Sequence, residues 1–236
     1  MKTIFSTLIT LLLLASCTTE KKPKVVYTDQ EAKTLAKDTS VVVVADLPIL
    51  IDSTNFLMHP IGELHLYAKD RKYTSSSWSY ATGTNFSIAD YNNYTLNGTL
   101  KNIKFEEVGT NKLVPLTDKN IVITSAHFLW DLYEKTGKQL FIYDVIDADT
   151  NNDGALDGMD IKTLYLSKID GSSFKRLMPK NHELLEWKII SEIDRLYVKS
   201  IEDTNKDGNF DKNDKLHYNY VYLIDEALEV IDYYPN

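Results

Sequence analysis

A twelve-residue pattern occurs twice in this chain, and it restricts the fold more than any other feature. Residues 149–160 read DTNNDGALDGMD and residues 203–214 read DTNKDGNFDKND. Both follow Asp-Thr-Asn-x-Asp-Gly-x-apolar-Asp-x-x-Asp. In the first copy, oxygen donors fall at positions 1, 3, 5, 7, 9 and 12: Asp149, Asn151, Asp153, the carbonyl of Ala155, Asp157 and Asp160. In the second they are Asp203, Asn205, Asp207, the carbonyl of Asn209, Asp211 and Asp214. Gly154 and Gly208 stand at position 6, where such a loop must turn sharply. Short carboxylates and an amide spaced this way suit Ca²⁺, a hard cation that takes oxygen ligands in a flexible shell. Asp, Asn and Gly favour turns in any case, so one copy alone would fit a plain connection. Two complete donor sets favour two calcium sites, structural in role.

The charge supports a local cation partner. Formal net charge is −8, and the aspartates of the two loops match that number. The rest of the chain is close to neutral, with no basic stripe of the kind nucleic acid requires. A hydrophobic share of 43% is enough to bury a core. The 15 tyrosines, together with many Val, Ile and Thr, favour strands over helices. Short apolar runs broken by polar turns begin at residue 41 and recur at 64–68, 85–89, 103–108, 141–146, 164–167 and 196–198. That texture predicts an all-β, antiparallel domain over residues 41–236.

The two loops lie in a longer repeat. An apolar strand precedes each, at 140–146 and 195–201, and a run holding a tryptophan precedes that strand, at 127–130 and 184–187. After the first loop a hairpin is expected, turning at Asp170-Gly171. Residues 102–116, with a turn near Gly109, match that hairpin one unit earlier. The three tryptophans, Trp78, Trp130 and Trp187, are 52 and 57 residues apart and would open successive units. A period in this range predicts blades of four strands each, three to four in all. The pattern also fits an open stack or a sandwich. In the Trp78 unit the loop slot at 92–98 has no carboxylate and predicts a plain turn. After the second loop, Leu216, Tyr218, Tyr220, Tyr222 and Ile224 alternate as in a strand. Packing into the core is the expected use of that tyrosine face, although aromatic faces also bind sugars or peptides.

Residues 165–177, YLSKIDGSSFKRL, resemble the hairpin of the TolB-type, WD40-like propeller repeat, with Trp130 and Trp187 where that repeat places its tryptophan. The resemblance covers roughly residues 76–233 and implies a propeller-like fold. The loops are similar to those of EF-hands and, with Asp at position 12, of dockerins. A dockerin would continue each loop into a helix; the alternation after residue 214 predicts a strand instead.

Cys17 is the sole cysteine, which excludes an intramolecular disulfide. Lys2, the apolar run 4–14 and Leu14-Ala15-Ser16-Cys17 resemble a bacterial lipoprotein signal peptide with its lipobox. That implies cleavage after residue 16, lipidation of Cys17 and a cell-envelope protein anchored to a membrane, the outer one favoured over the inner. Residues 17–40 then form a tether, with a short helix opened by the capping box Thr28-Asp-Gln-Glu31.

No catalytic set emerges. His59, His65, His127, His182 and His217 show no metal-ligand spacing. Residues 75–79 are serine-rich without a nucleophile-elbow glycine pattern. Two functions fit: a non-enzymatic binding or scaffold protein with a protein or glycan ligand, or a hydrolase or lyase of envelope or dietary polymers that works from a propeller face.

Overall fold

The computed structural model describes residues 23–27, 33–36, 41–66, 73–75 and 87–235. The signal peptide, Cys17, the capping box at 28–31 and Trp78 lie outside the described residues.

The domain is built of antiparallel strands, as the alternating runs predict. They are β1 (Val41–Ala45), β2 (Ile49–Leu50), β3 (Phe56–Leu66), β4 (Tyr73–Ser75) and β5 (Ala89–Asn92). Next come β6 (Thr95–Glu107), β7 (Leu113–Pro115), β8 (Val122–Phe128), the helix α1 (Trp130–Thr136) and β9 (Leu140–Ile146). The chain continues with β10 (Thr163–Lys168), β11 (Lys175–Arg176), β12 (His182–Ile190), β13 (Arg195–Glu202), β14 (Lys215–Tyr222) and β15 (Val230–Asp232).

Two sheets result, and neither closes into a barrel. The larger runs β1-β3-β6-β8-β9-β10-β11, with β2, β4, β5 and β7 paired alongside; the smaller runs β12-β13-β14-β15. The units around the two loops are indeed four-stranded meanders, β8 to β11 and β12 to β15. Only the second stands as a sheet of its own. In the first, β8 bonds to β6, with Thr95 opposite His127 and Leu96 opposite Ala126. A blade would end at β8; here the sheet runs on to β1.

The hairpins obey local turn chemistry. Asn93 and Tyr94, both at positive φ, join β5 to β6 in two residues, so the carboxylate-free slot is the plain turn expected. Gly171, at φ 79°, turns β10 into β11. A Cβ there would lie 2.7 Å from the Phe105 ring, so the site excludes other residues by contact as well as by φ.

β9 and β10 explain how the sheets fit together. Phe141, Tyr143, Val145 and Tyr165 face one core, with Ile51, Met58, Leu100, Ile103, Phe105 and Phe128. Leu140, Ile142, Leu164 and Leu166 face a second, with Leu184, Leu196, Val198 and Val221 of the smaller sheet. Both faces of these strands are therefore covered, which is why they read as unbroken apolar runs. Each such side chain contributes roughly 1.5–3 kcal/mol on burial.

One tryptophan departs from expectation. Trp130 opens α1 and is not in a strand. Leu129 and Leu132 drop into the second core while Tyr133 packs on the first, and Gly137 at φ 75° ends the helix. Bridging two cores with alternate faces requires the 3.6 period that WDLYEKT supplies. Trp187 does lie in a strand, β12, and its indole Nε1 donates to Asp144 Oδ1 at 3.0 Å. Lys162 Nζ reaches the other oxygen of Asp144 at 3.1 Å, and Leu184 N donates to Lys162 O at 2.8 Å, so the sheets are stitched beside the first loop.

The expected N-terminal helix is absent among the described residues of that stretch, 33–36. These residues form no regular element; the N–H groups of Lys33 and Ala36 go to the first loop and not along a helix.

Candidate functional site

Both twelve-residue segments connect the second and third strands of their meanders, β9 to β10 and β13 to β14. Their internal hydrogen bonds match almost one for one. Asp149 accepts from Asp153 N at 3.1 Å and Gly154 N at 2.8 Å; Asp203 accepts from Asp207 N at 3.2 Å and Gly208 N at 2.8 Å. Asn151 Oδ1 and Asn205 Oδ1 accept from Asp153 N and Asp207 N. Asp160 accepts from Thr150 N and Asp157 N, and Asp214 from Thr204 N and Asp211 N. Asp153, Asp157, Asp207 and Asp211 each take the N–H two residues on, from Ala155, Met159, Asn209 and Asn213. Position 4 is left-handed in both loops, Asn152 at φ 54° and Lys206 at φ 58°, as is position 6, Gly154 at 89° and Gly208 at 81°.

This lattice of N–H to carboxylate bonds offsets the repulsion of four aspartates per loop. Asp160 is almost fully buried, and that burial pushes its carboxyl up against the opposing pull of its N–H partners. The donor set is all oxygen, which fits a hard cation and not a soft one. The carboxylates are not drawn onto a common point, being turned toward the loops' own N–H groups.

What lies against the loops is not legible in the residue pattern. Residues 23–27 and 33–36 run across both of them as a strap. Lys24 N and Val25 N donate to Gly208 O at 2.7 and 3.2 Å, Val26 N to Thr150 O at 2.8 Å, and Ala36 N to Gly154 O at 2.9 Å. Thr150 Oγ1 returns a bond to Lys24 O at 2.7 Å, and Lys33 N donates to Asn152 Oδ1. Lys24 Nζ also pairs with Glu183 at 2.8 Å. The carbonyl of each position-6 glycine is thus an acceptor for the N-terminal segment. Burial pushes the Tyr27 hydroxyl up to about 12, with the charge of Asp203 beside it adding to the effect.

The histidines are less scattered in space than in sequence. His182, Glu202 and His217 come together with donor atoms within 4.8 Å of one another, the one His/Asp/Glu group this tight among the described residues. The signal was present in the second loop. As a hairpin it puts Ser200 opposite His217 and Glu202 opposite Lys215, which brings His217 beside Glu202. His59 instead pairs with Glu106 at 2.9 Å, on β3 and β6. His127 lies between Thr95 and the Trp187 ring, 5.6 Å away, and burial holds it below the usual histidine range.

The tyrosine run occupies the face opposite to the one expected. Asn219 and Val221 point inward, while Tyr218, Tyr220 and Tyr222 are half-buried on the outer face of the smaller sheet. Tyr197 and Tyr233 join them, and the Arg195 guanidinium lies 4.6 Å from the Tyr220 ring centre and 4.5 Å from that of Tyr222. A cleft of about 460 Å³ borders Tyr197, Tyr218 and Tyr233. Period two fixes that these rings share a face, but not which face meets the core.

No family model matches the chain, and no curated protein matches it.

Proposed function

We propose that the chain is a lipid-anchored protein of the bacterial cell envelope that binds Ca²⁺ at both loops and serves a non-enzymatic binding or scaffold role. The observation that carries this reading is the congruence of the loops together with the strap seated on both. Asp149, Asn151, Asp153, Ala155, Asp157 and Asp160 would hold one ion, and Asp203, Asn205, Asp207, Asn209, Asp211 and Asp214 the other. Bound Ca²⁺ supplies positive charge that cancels carboxylate repulsion and fixes the loop. The chain's own contribution is to aim the donors, to turn sharply at Gly154 and Gly208, and to present the two glycine carbonyls to Lys24, Val25 and Ala36. Those residues follow Cys17, the proposed lipid-bearing residue, so calcium would fasten the domain close to its anchor. The half-exposed tyrosine face, on the smaller sheet, is the surface offered to a protein or glycan ligand. The finer blade reading keeps support at β12 to β15, which stand as a separate four-stranded sheet.

Calorimetric titration with Ca²⁺ tests the reading. Wild type is expected to bind two ions, and Asp149→Ala and Asp203→Ala one each. Affinity of about 10⁻⁴–10⁻³ M is expected, as in extracellular modules. Absence of binding heat and of any calcium effect on melting would sink it. Loss of membrane association and of fatty-acid labelling in Cys17→Ala tests the anchor separately.

A further inference from the structure

We propose that His182, Glu202 and His217 form a second kind of metal site, for Zn²⁺ or a similar first-row divalent cation, distinct from the oxygen-only loops. The three residues come from three adjacent strands. Register places them on one face: His182 on β12 opposes Glu202 on β13, and His217 on β14 opposes Ser200, two residues before Glu202. That face is the inner one, shared with Leu184, Leu196 and Val198 of the second core. The group therefore sits at the end of the core, with apolar side chains on one side and water on the other.

The donors are close to what a metal needs. His217 Nε2 and Glu202 Oε2 are 2.7 Å apart, and the His182 and His217 ring centres are 4.6 Å apart. Ligands at 2.0–2.2 Å in a tetrahedral shell are about 3.3 Å from one another, so small side-chain rotations close the set. His182 is buried, and its polar contact among the described residues is a long one, 3.5 Å to Ser200 Oγ. A buried imidazole held this loosely lacks the strong partner that such rings normally have. Two imidazoles and a carboxylate suit Zn²⁺ and its first-row neighbours and are a poor set for Ca²⁺. Glu202 and His217 keep 43% and 27% of their side-chain surface exposed, which leaves an entry path and a place for water as fourth ligand. Such a metal would pin β12, β13 and β14 where the second loop departs, since Glu202 immediately precedes Asp203.

Co²⁺ serves as the probe, added to the full chain with calcium at saturation so that the loops are occupied. The expected result is visible d–d absorption reaching a plateau at one ion per chain, displaced by Zn²⁺ and lost in His182→Gln and Glu202→Gln. Wild type alone provides a second readout, because Zn²⁺ should shift the ring ¹⁵N resonances of two of the five histidines. Unchanged histidine resonances, or absorption that survives both substitutions, would overturn the proposal.

Discussion

The carbonyl oxygen of Gly208 accepts the backbone N–H of Lys24 at 2.7 Å, and a Cβ on Gly208 would lie 2.2 Å from the oxygen of Val25. The sixth position of the second loop is thus closed to other residues twice over, by its φ of 81° and by the strap on top of it. Gly154 has the first restriction without the second, its nearest neighbour being Thr34 O at 3.9 Å. Gly154→Ala should cost about 1 kcal/mol from backbone strain. Gly208→Ala should cost more and should also release the strap. Denaturant unfolding of both variants measures the first effect, and tryptic cleavage after Lys24 reports the second. Equal losses in the two variants would contradict the role given to the strap.

Calcium should stabilise the fold in proportion to occupancy. At about 100 times Kd each site adds ~2.7 kcal/mol, so two sites should raise the melting temperature by on the order of 10 °C in a domain of this size. Because the strap touches both loops, chelator should also open Lys24 and Lys33 to trypsin. Identical melting curves and digestion patterns in calcium and in chelator would be incompatible with the proposal.

Phe141 is fully buried on the face of β9 that meets the first core, with Phe105 and Phe128 rings 6.0 and 5.3 Å away. Phe141→Ala should cost roughly 3–5 kcal/mol. Tyr143→Phe removes only the hydroxyl bonded to Ser167 Oγ at 2.7 Å, and Ser167 keeps its bond to Lys168 O. Its cost should be about 1 kcal/mol. Urea titration ranks the two, and a larger loss for Tyr143→Phe would show that the hydroxyl pair matters more than the packing.

Stability should fall on mild acidification. Burial lowers the pKa of His127, with Asp131 on α1 opposing weakly. A folded-state pKa below the unfolded value of ~6.5 means the neutral ring is favoured by folding. That contribution is present above the unfolded pKa and is lost as pH falls through the folded one. His182 is lowered in the same sense, by burial and then by His217, so part of the pH dependence survives without His127. His127→Gln should therefore flatten the stability profile between about pH 7 and 5 without abolishing its slope. A wild-type profile that is level over this range would rule the effect out.

Strand positions were legible because alternation depends on local residues alone. β9, β10, β13 and β14 lie close to where the apolar runs put them, and both loops join strands as the repeat implied. The turns at Asn93-Tyr94 and Gly171 were legible for the same reason. Trp130 was misplaced because two similar tryptophan runs can serve different layers. One covers a strand, and the other caps two cores at once, which a helix does better.

The antiparallel β class, the two loops with their oxygen donors and the local acidity can all be read from the residues alone. These follow from period, turn chemistry and charge, which act over a few residues. Long-range packing settled which sheet each meander joins, which face of β14 meets the core, and that residues 23–27 and 33–36 lie against the loops. It also brought His182 on β12 to the pair that the second loop's hairpin makes of Glu202 and His217. The physical reason is that register and sheet order are settled by burial between distant segments. Apolar area is removed from water without regard to where in the chain it came from.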